Sequence, residues 1–344
     1  MKGNRRTYVA KGNKTSEFYS IDAWGYEFDT LAPIPVGPSG KPPYKGCRGA
    51  ADGQRFVYMA KGNKTNEFWR YDVATDTWQQ LSDVPGKSVR AGADAVYVER
   101  NNSGCIYLLK GTGREFCRYD VAAARWESLP NAPAGNHRSW PDGSWLVYDD
   151  NSTIYAHKAK YHEFYSFNVS KDSWNPTVLK PMPIPGPDGE KKAGAGGCGA
   201  WHETKLYALK GNNSRELWVY LPARDSWCGI DGVPLLGVTG KEKKVKAGAD
   251  MVSYEAGNVP VVLFLLKGNK TNEFGASKRS TRARAKRVLA PGSWVIPGIW
   301  LHGLLAASCQ TRFLVAASRL CLAVPRLELR SGTVNGVTVP SRRA

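Results

Sequence analysis

A lysine and a glutamate recur together along most of the chain, five or six residues apart. The lysines are Lys11, Lys61, Lys110, Lys158, Lys210 and Lys267, and the glutamates are Glu17, Glu67, Glu115, Glu163, Glu216 and Glu273. Six ammonium groups around one axis would attract a phosphate or an acidic sugar. Because every lysine is matched by a carboxylate, the pattern favours structural ion pairs over an anion-binding site.

The least regular part of the chain holds the candidates for ligand binding. His137, Trp140, Trp145 and His162 lie where the repeated pattern is most degraded, and a degraded copy of a repeat is a place where function can be added. The sequence contains no Gly-rich phosphate loop, no Cys cluster with metal-ligand spacing and no nucleophile elbow. We therefore expect no metal, no cofactor and no catalytic residue.

These residues belong to a repeat of about fifty residues, whose best copy begins at Lys61 and ends at Trp78. It reads Lys-Gly-Asn-Lys-Thr-Asn-Glu-Phe-Trp-Arg-Tyr-Asp before that Trp, and the lysines of successive copies are 50, 49, 48, 52 and 57 residues apart. Residues 55–60 form an apolar strand, Lys-Gly-Asn a turn, and residues 67–72 an alternating strand. A period near fifty with several short strands per copy predicts an all-β fold, a β-propeller with one blade per repeat.

The second half of the repeat resembles the kelch repeat. Two copies match the Tyr-Asp-x-x-x-x-x-Trp motif of that family: Tyr71-Asp72 with Trp78, and Tyr119-Asp120 with Trp126. A Lys-Gly pair stands where the family has Gly-Gly. The resemblance covers residues 1–274 and implies a kelch-like β-propeller of four-stranded blades. Five repeats are complete and the sixth is truncated, so the ring need not close. We expect the repeated aromatic residues to pack between blades.

A hairpin centred on Gly111 or Thr112 leads to two further expectations. It would place Cys105 opposite Cys117, close enough for a disulfide, although two free thiols in a reducing compartment remain the alternative. The same register puts Lys110 and Glu115 on opposite faces of their sheet. We therefore expect each lysine to pair with a glutamate of the neighbouring blade, and the loss of one partner to destabilise the fold.

Residues 275–344 differ from the rest of the chain in composition. They contain ten Arg and two Lys against a single acidic residue, no Tyr and no Asp, and the expected Trp-x-Tyr-Asp never follows Phe274. We interpret this segment as an aberrant basic and apolar tail, either derived from a shifted reading frame or disordered. A membrane segment is the second interpretation, but Pro297 and Gly298 interrupt the uncharged stretch from Ser293 to Gln310. A nucleic-acid-binding arm is the third.

The net charge of +18 does not predict a nucleic-acid partner. Residues 1–274 contribute only +7, from 36 basic and 29 acidic residues, and the tail contributes the remainder. No secretory signal is visible, so the compartment is unknown, although a disulfide between Cys105 and Cys117 would favour an extracellular location. We expect a monomer for an intact parent protein, and aggregation if the ring stays open.

The resemblance implies a binding module more than an enzyme. The long Pro/Gly-rich connections at residues 33–44, 181–190 and 233–243 are expected on one face, where they would hold a protein or glycan ligand. The alternative is a carbohydrate-active enzyme on the same fold, galactose oxidase-like or sugar-isomerising. The sequence shows no convergent His, Tyr and Cys set of the kind that holds copper in galactose oxidase-like proteins.

Overall fold

The structure, a computed structural model, describes residues 6–22, 28–100, 103–237, 240–254, 262–271, 273–278 and 313–316. These residues form six antiparallel sheets of three or four short strands, and strands consecutive in sequence are neighbours in nearly every sheet. The innermost strands of the sheets contact one another in a closed ring. The molecule is therefore a six-bladed β-propeller.

The first three blades use strands β1 to β11. Blade 1 contains β1 (Arg6–Ala10), β2 (Phe18–Asp22) and β3 (Phe28–Leu31). Blade 2 contains β4 (Arg48–Ala51), β5 (Phe56–Ala60), β6 (Phe68–Asp72) and β7 (Thr77–Gln80). Blade 3 contains β8 (Ala93–Arg100), β9 (Ser103–Lys110), β10 (Phe116–Asp120) and β11 (Arg125–Ser128).

The other three blades use strands β12 to β22. Blade 4 contains β12 (Trp145–Tyr148), β13 (Thr153–Lys158), β14 (Glu163–Asn168) and β15 (Ser173–Trp174). Blade 5 contains β16 (Cys198–His202), β17 (Lys205–Leu209), β18 (Leu217–Leu221), a 3-10 turn (Pro222–Arg224) and β19 (Ser226–Ile230). Blade 6 contains β20 (Asp250–Tyr254), β21 (Val262–Leu266) and β22 (Phe274–Lys278).

The ring is closed by a strand from the distant end of the chain. Strand β23 (Phe313–Ala316) pairs with β1 as the innermost strand of blade 1, and it contacts the inner strands β20 and β4 on either side. The ring, which the truncated sixth repeat left possibly unclosed, is therefore closed in the structure. Strand β22 also runs past the boundary drawn at residue 274, to Lys278. The frameshift remains a prediction, and the stretch from Ser293 to Gln310 lies outside the described residues.

The hairpin of β9 and β10 has a different register from the expected one. Lys110 lies at the end of β9 and its amide donates to the carbonyl of Glu115, so the turn comprises the four residues between them. Cys105 then lies opposite Asp120, and Cys117 opposite Leu108. The two cysteines face different core clusters on the two sides of the sheet, and both are free thiols. The predicted disulfide is wrong.

Aromatic residues wedge neighbouring blades together, as the sequence predicted. Phe18 of blade 1 meets Tyr71 and Trp78 of blade 2 at ring-centroid distances of 5.0 and 5.1 Å. The indole of Trp78 also donates to the carbonyl oxygen of Ala32, at 2.9 Å, in the connection between the two blades. Phe68 contacts Tyr119 and Trp126 of blade 3 in the same way, at 5.1 and 4.8 Å. Repetition of one wedge thus builds most of the core.

The strand order places two sets of loops on one side of the molecule, which we call the connection face. It comprises the connections between blades (residues 33–47, 83–92, 131–144, 181–197 and 232–249, of which 238–239 are not described) and the turns between the second and third strands of the blades. The turns contact the connections directly. For example, the amide of Asn63 donates to the carbonyl of Lys45, and that of Lys64 to the carbonyl of Val89. The three long connections named from the sequence therefore lie on one face.

Candidate functional site

The inner strands surround a channel of about 220 Å³ on the axis of the propeller. At the connection-face end, one position of each inner strand of blades 2 to 6 contributes a side chain to this channel. These residues are Arg48, Asp94, Trp145, Cys198 and Asp250, from blades 2 to 6. Aromatic residues such as Tyr97, Tyr148 and Trp201 line the channel farther along the same strands. The channel thus combines charged and aromatic side chains from several blades.

An ion pair links blades 2 and 3 inside the channel. Arg48 Nε lies 3.2 Å from Asp94 Oδ1, and the two side chains are 14% and 16% exposed. The other carboxylate oxygen of Asp94 accepts the amide of Leu146 in blade 4, at 2.7 Å. Burial raises the pKa of Asp94 to about 7, Arg48 opposes this shift, and the negative charge of Asp250 adds to it. Asp94 can therefore take up or release a proton near neutral pH.

A ring of glycines brings the inner strands this close to the axis. Gly46, Gly92, Gly143, Gly196 and Gly248 each precede a channel residue by two positions and have φ between +85° and +90°. A Cβ on Gly46, Gly92, Gly143 or Gly196 would overlap a backbone carbonyl of the next blade. Only glycine fits both the left-handed φ and the close approach.

The raised pKa of Asp94 predicts a fall in stability between pH 4 and pH 7. In this range the folded state keeps a proton on Asp94 that the unfolded chain, with a pKa near 3.8, has released. Its contribution to the free energy of unfolding therefore falls as pH rises, by up to about 1.4 kcal/mol per unit. Asp94→Asn should remove this slope, so the difference in unfolding free energy between variant and wild type, measured with urea, should shift steadily in favour of the variant from pH 4 to pH 7. A constant difference would contradict the prediction.

The recurrent lysines and glutamates pair within single blades. The ammonium–carboxylate distances are 2.5 Å for Lys11 and Glu17, 2.9 Å for Lys158 and Glu163, and 2.6 Å for Lys267 and Glu273. Lys61 pairs with Glu67, and Lys210 with Glu216, in the same way. The expectation of pairs between blades is wrong, because lysine and glutamate lie directly opposite each other across the hairpin, as Lys158 and Glu163 do in register.

The pairs of blades 2, 4, 5 and 6 also hold the connection that leads into their own blade. The ammonium of Lys61 donates to the carbonyl of Val36 at 2.5 Å, and Glu67 accepts the amide of Ser39 at 2.9 Å. In blade 4, Lys158 donates to Ala134 at 2.5 Å and Glu163 accepts the amide of Asn136 at 2.7 Å. We call such a pair with its connection a Lys–Glu latch.

The latches of blades 2 and 4 are buried, and the pKa of each of their carboxylates lies below its usual value. The side chain of Lys61 is 0% exposed and that of Glu67 is 5% exposed. Burial alone would raise the pKa of Glu67, but hydrogen bonds from Lys61 and from Ser39 lower it below its usual value. Glu163 follows the same pattern. The ammonium groups point to carbonyls and carboxylates, so these positions do not form an anion site.

Blade 3 lacks a complete latch. Lys110 donates to the carbonyl of Pro85, but Glu115 turns to the surface, is 35% exposed and lies 3.6 Å from Lys87. Burial lowers the pKa of Lys110. The pattern of recurring Lys and Glu is therefore complete in sequence but not in structure.

The four residues proposed for ligand binding do not form one site. His137 is exposed and stacks on Tyr161 at 4.5 Å, within the connection face. Trp140 is buried in the core and donates to the carbonyl of Pro133. Trp145 lines the channel and stacks on a buried histidine of the next strand, whereas His162 lies in a turn with φ of 55°. The structure thus places His137 and His162 on the connection face, Trp140 in the core and Trp145 at the channel.

Sequence reasoning missed the charged channel residues Arg48, Asp94 and Asp250. A signal was present in the sequence. Each of the three residues follows a glycine of the ring by two positions, and the equivalent positions in blades 4 and 5 hold Trp145 and Cys198. In a repeated scaffold, a position whose side chain differs from blade to blade, while the residues beside it stay small, is typical of a ligand-facing site.

The described residues contain no candidate metal site and no candidate membrane-spanning helix. No group of three or more His, Cys, Asp and Glu side chains there is arranged to hold a metal ion. No helix in the same part of the chain has the length and apolar character needed to cross a membrane. The absence of a metal or cofactor from the function stays a prediction.

Comparison with known proteins identifies the fold and nothing finer. No protein-family model and no curated protein sequence matches the chain. Among solved structures, that of YjhT, a β-propeller, is similar at 14% sequence identity and a TM-score of 0.51, covering 80% of this chain and 95% of that one. In all, 830 solved chains match, so the likeness does not select one function.

Proposed function

We propose that this propeller is a noncatalytic, kelch-like binding module that holds a protein or glycan partner on its connection face. The observation that supports this most directly is the set of Lys–Glu latches. They fix the connections at several backbone atoms, so that the exposed loop tips beyond them are presented in one conformation. A surface ordered before binding loses less conformational entropy on association.

The loop tips themselves are open to a partner. Pro38, Gly40 and Lys41 are exposed in the connection to blade 2, and Gly189 and Glu190 are exposed in the connection to blade 5. A Cβ added at Gly40 or Gly189 would meet no atom within 4 Å. These tips therefore stand clear of the blades, as a contact surface on a rigid scaffold should.

A steric block tests the assignment of the face. Partners would first be identified by screening the immobilised full chain against glycans and purified proteins. Pro38→Trp should then weaken binding by about tenfold or more, equivalent to ~1.4 kcal/mol, because the indole would stand on the contact surface. Ala123→Trp is the matched control, since Ala123 is an exposed turn residue on the opposite face. Binding lost in the control and kept in Pro38→Trp would refute the proposal.

The channel supports a second candidate, a carbohydrate-active enzyme. A carboxyl group with a pKa near 7, beside Arg48 in a concave site, suits proton transfer to or from a sugar. Turnover of a panel of aldoses and acidic sugars would be measured with the wild type and with Asp94→Asn. Activity that disappears in the variant would favour the enzyme, and no activity with any sugar would remove it.

A further inference from the structure

The two faces of the propeller differ in charge. On the connection face the turns expose Lys14, Lys64, Lys160 and Lys270, and the connections expose cations that include Lys41, Lys87, Arg90, Lys192, Lys243 and Lys246. The exposed carboxylates there, among the described residues, are Asp83, Glu190, Asp231 and Glu242. On the opposite face the exposed cations Arg55, Arg125, Lys171, Lys205 and Arg224 are balanced by Asp76, Glu99, Asp150 and Glu203. The positive charge of the folded part is therefore concentrated on the face proposed to bind.

Three of these lysines occupy backbone positions that suit other residues better. Lys14, Lys64 and Lys270 have φ of 62°, 61° and 61°, each at the end of a Gly-Asn-Lys run in which all three residues are left-handed. Glycine and asparagine adopt this conformation more readily than lysine. The two turn residues before each lysine follow that preference, and the lysine does not. Backbone conformation therefore does not explain why lysine recurs at this position in blades 1, 2 and 6.

The neighbouring asparagines show what the fold itself needs from these turns. The side-chain amide of Asn63 donates to the carbonyl of Pro42 at 2.8 Å, and that of Asn269 to the carbonyl of Lys244 at 2.9 Å. The lysine contributes its backbone amide, as Lys64 does to Val89, which any residue except proline could supply. The exposed side chains of Lys64 and Lys270 are thus left for solvent or a partner, and the exposed ammonium of Lys14 lies over the ring of Tyr44.

We propose that the connection face binds an anionic polysaccharide, through its sulfate or carboxylate groups. This rests on the proposed function and names the class of partner. A polyanion gains affinity from many dispersed cations through the release of its counterions, and such contacts weaken as salt screens them. A saccharide chain also needs few apolar contacts, and the connection face offers few.

Two other polyanions fit the face less well. A protein partner is normally anchored by large apolar or aromatic side chains. In the described part of the connections, Val36 and Leu236 are the only large apolar residues that are exposed. Single-stranded nucleic acid needs free aromatic rings for its bases. Here Tyr44 lies beneath the ammonium groups of Lys14 and Lys45, and Tyr161 is covered by His137.

Heparin, a highly sulfated polysaccharide, is the probe that tests this. The full chain should bind heparin with an affinity that falls as salt is raised, and binding by neutral dextran should be undetectable. The variant Lys14→Gly/Lys64→Gly/Lys270→Gly should bind heparin at least tenfold more weakly, with an unchanged midpoint of thermal unfolding, because glycine suits the left-handed turns. The control Lys171→Gln/Lys205→Gln/Arg224→Gln removes the same charge from the opposite face and should bind as the wild type does.

The possible failures separate the two proposals. Equal heparin binding by the triple-glycine variant and the wild type would overturn this inference, as would tighter binding of polyglutamate or of duplex DNA. If heparin does not bind but a protein or neutral glycan does, and Pro38→Trp blocks it, the inference is wrong and the proposed function stands. If nothing binds at the connection face, the proposed function is wrong as well.

Discussion

Glu67→Ala is expected to lower the free energy of unfolding by about 3–5 kcal/mol, because it leaves a buried ammonium group without its counter-charge. Lys61 is fully buried, and its remaining partners are neutral oxygens of the connection, such as the carbonyl of Val36. The amide of Ser39 loses its acceptor in the same variant. Urea unfolding followed by tryptophan fluorescence would measure the change.

The chain supplies its own control for this prediction. Glu115 occupies the equivalent repeat position in blade 3, but its side chain is partly exposed and its carboxylate lies beside Lys87 instead of pairing with the Lys110 ammonium. Glu115→Ala should therefore change stability by less than about 1 kcal/mol. Adding Lys61→Met to Glu67→Ala should recover part of the loss, since no unpaired charge then stays buried. Equal effects of Glu67→Ala and Glu115→Ala would show that the latch does not stabilise the fold.

Gly92→Ala is expected to destabilise the propeller by about 4 kcal/mol or more. Single substitutions have effects this large only when they create a specific structural conflict. The left-handed φ of +85° would cost alanine about 1–2 kcal/mol by itself. The added Cβ would also overlap the backbone oxygen of Trp140 in the connection to the next blade. The backbone at Trp140 could move away from this Cβ only if the two blades separated, so a local shift of side chains cannot relieve the overlap.

Gly40→Ala separates these two costs. Gly40 has a φ of +64°, and an added Cβ would meet nothing within 4 Å. Its substitution should therefore cost only the conformational part, about 1–2 kcal/mol. Chemical unfolding of both variants would give the difference, which measures the close approach of blades around the channel. Similar losses in the two variants would mean that the glycine ring is not crowded in solution.

The amino-acid sequence by itself determined the repeat, the all-β blades and the side on which the long connections lie. The spacing of Lys61 and its equivalents marks one hairpin per blade, and the position of Trp78 marks the outer strand. These are local properties, since a turn and the alternation of a strand depend on residues close in sequence. For the same reason the aromatic wedge could be predicted from its recurrence alone.

Other features depended on contacts between distant residues. The pairing of Lys61 with Glu67 and the separation of Cys105 from Cys117 follow from the register of their hairpins. A shift of that register by an odd number of residues moves every side chain of the strand to the other face of the sheet. Closure by β23 joins segments about three hundred residues apart. Arg48, Asp94 and Asp250 come from three blades and meet only because the ring closes around them. Local patterns carry no information about such contacts, which is why only the tertiary structure decided the register, the closing strand and the channel.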